Sequence, residues 1–281
     1  MAFWILLFGL VTAVVMARGV AEWCWRRRQA IAAVLRRAMH GLGLHRLGTA
    51  IARRWPRLGR WLQARFDRRH ALGLPLTALV VLAVHLLGLG GQLVEELLED
   101  RDLQQLDERL HQGLDRMREA RFVALFAWLT AFGDPQTLIA CGLVTAAALL
   151  ATQRSAMLFG LLLTVGGSQL ATLLGKYIID RPRPALSTAY EAITPSFPSG
   201  HTTGAVAVYG FIAYVLARIA QNPRLRFEVM FAAALLMGLV ALSRIVIGVH
   251  YVSDVAAGMV NGAFWVLAGV AVSEWLARER R

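Results

Sequence analysis

The chain has 281 residues, of which 57% are hydrophobic and only 17% charged, and it carries a formal net charge of +12. Its mean hydropathy is +0.52. Soluble domains carry about a quarter charged residues, so this composition excludes an ordinary soluble protein, intrinsic disorder and a collagen-like repeat. The two cysteines, Cys24 and Cys141, lie far apart with no zinc-type spacing, so neither a disulfide framework nor a structural metal site is expected.

The first apolar run covers residues 3–17. It lacks a basic leader and is followed by arginines, the reverse of secretory-signal order, so it reads as an N-terminal anchor or short tilted span with its N-terminus outside. Fourteen of the 30 basic residues then fall between Arg18 and Arg69. That block contains no nucleic-acid motif and sits between membrane-length apolar runs, which points to anionic lipid headgroups and away from nucleic acid. Apolar positions Ile31, Val34, Leu35, Ala38 and Leu42 recur there at helical spacing, among Trp23, Trp25, Trp55 and Trp61. The pattern suits helices lying in the cytoplasmic interface, with a solvated basic linker as the alternative.

A hydrocarbon core about 30 Å thick needs about 20 apolar residues of helix. Six further spans are predicted near residues 72–94, 135–151, 156–178, 202–220, 229–248 and 255–275. The predicted fold is therefore all-α: a polytopic membrane bundle of six core helices, with the N-terminal hydrophobic segment and interfacial helices added. Residues 1–70 read as the anchor and basic segment, and 71–281 as the membrane domain. Segments 18–70, 152–155, 218–228 and 274–281 hold 21 of the 30 basic residues. These are alternate connections, so all are expected on the cytoplasmic side. Between the first two core spans, residues 95–121 read as an amphipathic helix with heptad-like Leu103, Leu106, Leu110 and Leu114 packed over the bundle. Asp134 before Pro135 reads as an N-cap and first helical residue.

Three polar clusters fall on the predicted outer face. Lys176 and Arg183 flank a helix exit, with Pro182 and Pro184 holding the following chain extended, so two cations share one mouth. Interface anchoring is the plainer reading, although basic residues on the outer face oppose the usual bias. Next come Pro198, Ser199, Gly200 and His201 at a helix start. Ser199 can cap, Gly200 admits close approach, and the free amides of a helix N-terminus suit a phosphate, although a plain capped loop also fits. The third cluster is Ser243 and Arg244, then His250 and Asp254. If a helix starts near His250, the four-residue spacing lets Asp254 bond one ring nitrogen, leaving the other to attack an electrophile. A structural His-Asp pair is the plainer reading, but it does not account for Arg244 beside it.

Together these residues resemble the type-2 phosphatidic acid phosphatase superfamily, whose pattern is K-x6-RP, PSGH and SR-x5-H-x3-D. All eleven specified residues occur here: Lys176, Arg183, Pro184, Pro198, Ser199, Gly200, His201, Ser243, Arg244, His250 and Asp254. The resemblance implies six core helices and a phosphatase that works without metal or other cofactor through a phosphohistidine. It makes His250 the nucleophile, Asp254 its orienting partner and His201 the acid and then base. Lys176, Arg183 and Arg244, with amides near Ser199 and Gly200, would hold the phosphoryl oxygens. A membrane lipid phosphate at the outer face of a bacterial inner membrane is the expected substrate: isoprenyl diphosphate, phosphatidic acid, phosphatidylglycerophosphate or lipid A phosphate. Transfer to a second lipid uses the same chemistry, and a transporter or lipid-binding scaffold is the remaining alternative. Soluble vanadium haloperoxidases share the superfamily, but the membrane spans argue against them. The first 70 residues lie outside the resemblance.

Overall fold

The structure is a computed structural model that describes residues 2–41, 54–56, 74–99, 101–116, 118–185 and 194–279. The described helices are α1 (Ala2–Gly41), α2 (Leu74–Glu99), α3 (Arg101–Asp115), α4 (Ala120–Thr130), α5 (Pro135–Ala151), α6 (Ser155–Ile179), α7 (Gly200–Ile219), α8 (Pro223–Ile247) and α9 (Val252–Glu279), with a 3-10 turn, Ala131–Gly133, between α4 and α5. No strand occurs among the described residues. Among the described residues, seven stretches are long and apolar enough to cross a bilayer: Phe3–Ala30, Thr77–Glu99, Ala120–Ala151, Ser155–Ile179, Gly200–Ile219, Pro223–Ile247 and Val252–Arg278. The protein is an all-α, multi-span membrane protein, as the apolar runs predict. The chain forms two compact units, Gly9–Leu79 and Met1–Phe8 with Val80–Arg281.

In the first unit the helix does not stop where the apolar run does. A short anchor over 3–17 and separate interfacial helices are expected; instead α1 runs without a break through 40 residues. Glu22 explains part of the continuity. It pairs with Arg18 at 3.2 Å and Arg26 at 3.4 Å, one turn away on either side, so the charges that end the apolar run also support the helix. Arg28 stacks over the Trp25 ring at 4.1 Å. Leu42, Trp61 and half of the basic residues of the block lie outside the described residues.

The second unit is built around α7. This helix is buried along most of its length, with Ala205, Ala207 and Phe211 fully enclosed. Leu138, Val208, Tyr209 and Val240 form one packed cluster around it, and Leu149, Leu161, Phe211 and Val215 another. A helix surrounded on all sides needs apolar residues all round, which is how the α7 sequence reads. Lipid is as apolar as leucine, so helix pairs here depend on close backbone approach and hydrogen bonds. Gly160 of α6 supplies that approach, since a Cβ there would meet Gly269 O of α9 at 2.5 Å. Thr164 Oγ1, one turn on, donates to Trp265 O of α9 at 3.1 Å.

Short connections at 152–154, 220–222 and 248–251 make successive helices antiparallel. The C-terminal ends of α6 and α8 and the N-terminal ends of α5, α7 and α9 therefore share one end of the bundle. All three polar clusters sit there.

The face of α3 that packs inward differs from expectation. Leu106 and Leu110 are exposed, whereas Asp107 is 2% and His111 8% exposed. A carboxylate is buried only against a matching charge, and Arg181 provides it: its Nη2 donates to Asp107 Oδ2 at 2.8 Å. That ion pair sets which side of α3 faces the bundle.

Candidate active site

His250 reaches its place through a backbone turn. α8 ends at Gly248, whose φ of 89° is strained for any residue with a Cβ. The amides of Gly248 and Val249 bond back to Ile245 O and Arg244 O, closing a Schellman-type cap. The Arg118 guanidinium fills the space beside Gly248, 2.6 Å from where a Cβ would stand. α9 begins four residues later, at Val252, so His250 lies in the turn and not on the helix that the four-residue spacing suggested. The two side chains are still brought together, with His250 Nδ1 3.5 Å from Asp254 Oδ2, an ion-pair distance without hydrogen-bond geometry.

The closest bonds of Asp254 go elsewhere. Oδ2 accepts the Tyr251 amide at 2.9 Å, the backward half of a capping box at the start of α9. Oδ1 accepts from Arg181 Nη1 at 2.7 Å. Arg181 also donates to Ser253 Oγ at 2.7 Å, and Asp107 accepts the Ser253 amide at 3.1 Å. Asp254 is thus fixed on both oxygens beside the imidazole.

The other ring nitrogen of His250, Nε2, faces Arg183 Nη1 at 3.3 Å. A guanidinium only donates, so Nε2 is the unprotonated nitrogen and Nδ1 carries the proton toward Asp254. Burial pushes the His250 imidazole down to about 3, a fall that the Asp254 carboxylate opposes and Arg244 and Arg183 reinforce. The ring is therefore neutral near pH 7 with a free lone pair at Nε2, the form a nucleophile requires.

Lys176, Arg183 and Arg244 converge on this point and repel one another. Arg183 is anchored through Nε to Thr194 O at 2.8 Å and through Nη1 to Val249 O at 2.9 Å. Lys176 Nζ donates to Pro195 O. Arg244 gives Nη1 to Thr130 Oγ1 at 2.7 Å, while its buried Nε has no partner. Burying three cations together is costly unless an anion joins them.

At the α7 N-terminus, Ser199 occupies the cap position without capping, and its hydroxyl accepts from Thr202 Oγ1 at 3.0 Å. Its amide is donated to Asp254 O at 3.0 Å, which ties α7 to α9. The expected Ser199 amide is thus committed, and the first-turn amides of Gly200, His201 and Thr202 are those left without helical acceptors.

Asp134 departs most from the sequence reading. It stands at the α5 cap position, but its side chain makes no capping bond. Its Oδ1 instead lies 2.8 Å from His201 Nε2. Asp134, Asp107, Arg181 and Ser253 are the site residues that sequence reasoning missed. Arg181, two residues before Arg183 in the same proline-spaced run, is the one whose position carried a signal.

A cavity of about 490 Å³ opens from this cluster between α5, α6 and α7. Lys176, Gly200 and His201 line one end, and Leu138, Ile139, Leu143, Leu161 and Leu162 line the rest. Lys176 and Leu162 are 14 residues apart on α6, about 21 Å at 1.5 Å per residue. One continuous space thus joins Lys176 and His201 to an apolar wall of acyl-chain length.

Residues 156–278 match the model of the PAP2 superfamily. The chain is 33% identical over 106 residues to phosphatidylglycerophosphatase B of Bacillus subtilis, an alignment covering 36% of this chain and 51% of that relative. The chain thus spans about half the length of the curated relative it matches. The fold is similar to the crystal structure of the first transmembrane PAP2-type phosphatidylglycerolphosphate phosphatase from Bacillus subtilis, with a TM-score of 0.65 and 25% identity, covering 70% of this chain and 98% of that one.

Proposed function

We propose that this protein is an integral membrane lipid phosphatase acting through a phosphohistidine at His250. The observation that carries the reading is the cavity itself, a long apolar groove lined at one end by Lys176, Gly200 and His201. That combination suits an amphiphile with a phosphate head and a hydrocarbon tail. His250 Nε2 attacks phosphorus in line, and the phosphorus-oxygen bond to the lipid breaks. His201 gives its proton to the leaving oxygen. Water then attacks the phosphohistidine, His201 takes the proton, and inorganic phosphate leaves. Lys176, Arg183, Arg244 and the first-turn amides of α7 stabilise the charge on the transferring group, the main demand of phosphoryl transfer.

The relative's name favours a glycerophospholipid phosphate such as phosphatidylglycerophosphate, with isoprenyl diphosphate the other substrate this groove suits. The arginine pattern supports a bacterial inner membrane location with the site on the periplasmic face. It also supports anionic lipid headgroups as partners of the N-terminal basic block.

The test is phosphate release by purified protein in detergent with EDTA present, from phosphatidylglycerophosphate, phosphatidic acid and undecaprenyl diphosphate. Wild type should release phosphate and His250→Ala should not. Labelled substrate should leave an acid-labile, alkali-stable phosphoenzyme that accumulates in His201→Ala. Substrate dephosphorylation that needs a second lipid acceptor, with the phosphoryl group recovered on that acceptor and not as inorganic phosphate, would establish a transferase. Full activity in His250→Ala would overturn the mechanism.

A further inference from the structure

The general acid in this site is not held by its own helix. His201 is the second residue of α7, and Asp134, which its ring touches, belongs to the start of α5, 67 residues away in sequence. A carboxylate at a helix cap position ordinarily accepts that helix's first-turn amides. Asp134 forgoes them, so its orientation serves the imidazole.

The approach is prepared on three sides. Gly133 is buried, and a Cβ there would meet Val240 Cγ1 at 2.6 Å and His201 Cβ at 3.2 Å. Only glycine lets the α5 start come this near the ring. Tyr209, two turns along α7 from His201, donates its hydroxyl to Phe132 O at 2.6 Å and so ties the 131–133 turn to the helix that carries the histidine. Thr137 Oγ1 donates to Ala131 O at 2.8 Å, closing the turn from the α5 side.

We infer that Asp134 is the positioning residue for the general acid: it accepts the proton-bearing Nε2 of His201 and so presents Nδ1 to the leaving oxygen. A carboxylate can only accept, so the bond fixes which nitrogen carries the resident proton. Arg244 and Arg183 also face His201. Both are cationic, and the Asp134 carboxylate bonded to the ring is the counter-charge that offsets them when Nδ1 takes up its proton. The catalytic cycle balances: Nδ1–H passes to the leaving oxygen, Nε2–H stays with Asp134, and water returns a proton to Nδ1 in the second step. The inference rests on the phosphatase reading of the site.

The test compares Asp134→Asn, Asp134→Ala and Asp134→Glu with wild type on phosphatidic acid and on nitrophenyl phosphate, whose leaving group needs no acid. Loss of general acid catalysis is worth about 10²- to 10⁴-fold. On phosphatidic acid, kcat should fall by about 10²-fold in Asp134→Ala, with Asp134→Glu recovering part of it. On nitrophenyl phosphate the same variants should lose less than about threefold, because protonation no longer limits the rate. In a His201→Ala background, Asp134→Ala should cost nothing further. Equal losses on both substrates, or an undiminished loss in the His201→Ala background, would mean that Asp134 only supports the fold and would overturn the inference. Nitrogen NMR of histidine-labelled protein gives an arm independent of turnover. In wild type His201 should hold its resident proton on Nε2, with the tautomer shifting in Asp134→Ala. An unchanged spectrum overturns the inference. Wild-type protein that releases no phosphate from any substrate sinks the phosphatase reading instead, and the NMR arm still decides the Asp134 contact.

Discussion

Replacing Arg181 with alanine should destabilise the protein more than any other single change at the end of the bundle that holds the polar clusters. Its guanidinium donates to Asp254 at 2.7 Å, to Ser253 at 2.7 Å and to Asp107 at 2.8 Å. Asp107 is 2% and Asp254 0% exposed, so the substitution strands two buried carboxylates. Breaking one buried ion pair in this way costs about 3–5 kcal/mol. The two pairs share one guanidinium and do not add, so that range is the expected total. At about 2–4 °C per kcal/mol for a domain of this size, Tm in detergent should fall by roughly 6–20 °C. Asp107→Asn should be milder, because Arg181 keeps Asp254. In Arg181→Ala kcat should drop more than KM rises, since Asp254 loses an anchor beside His250 while Lys176, Arg183 and Arg244 remain. Thermal unfolding of detergent-purified protein, with kinetics on the same samples, checks this. A shift under 2 °C for Arg181→Ala, or equal shifts for both variants, would refute the view that this pair is a buried, energetically coupled unit.

Lys176 is the one lysine among 30 basic residues, and its Nζ already reaches Pro195 O in a half-buried position. Arginine is broader and forks, so Lys176→Arg should lose much of kcat despite keeping the charge; unchanged kcat and KM would show that the position needs only a cation. Burial holds His250 down at about 3, against an ordinary value near 6.5. Between those values the unfolded chain binds the extra proton, so His250 should make the protein lose stability as pH falls below about 6.5 and continue losing it toward about 3. Unfolding measured across that range in wild type and His250→Gln tests it, and an equal pH dependence in the two would count against a buried neutral imidazole. Ala185 and Gln221 lie at opposite ends of the bundle. A cysteine at 185 should react with an impermeant thiol reagent from outside intact cells and one at 221 should not, and the opposite pattern would invert the orientation.

The membrane spans and the three polar clusters were legible in the sequence because both follow from local rules. A lipid core demands about 20 apolar residues whatever lies beside them, and Ser199, Gly248 and Pro182 mark helix ends through their own backbone preferences. Alternation of the spans then brings the clusters together with no further information. What the sequence left open was every choice between two satisfactory partners. Asp134 reads as a helix cap, and locally it has the means to be one; packing of α5 against α7 supplies His201, and the carboxylate turns to it. The leucines of α3 read as its inner face, yet only Leu103 packs against the core cluster, while Leu106 and Leu110 are exposed and Asp107 lies inward, because Arg181, 74 residues on, offers a buried carboxylate its counter-charge. In each case the side chain's free energy depends on a charge brought in by the tertiary fold, a term that no pattern within one helix contains.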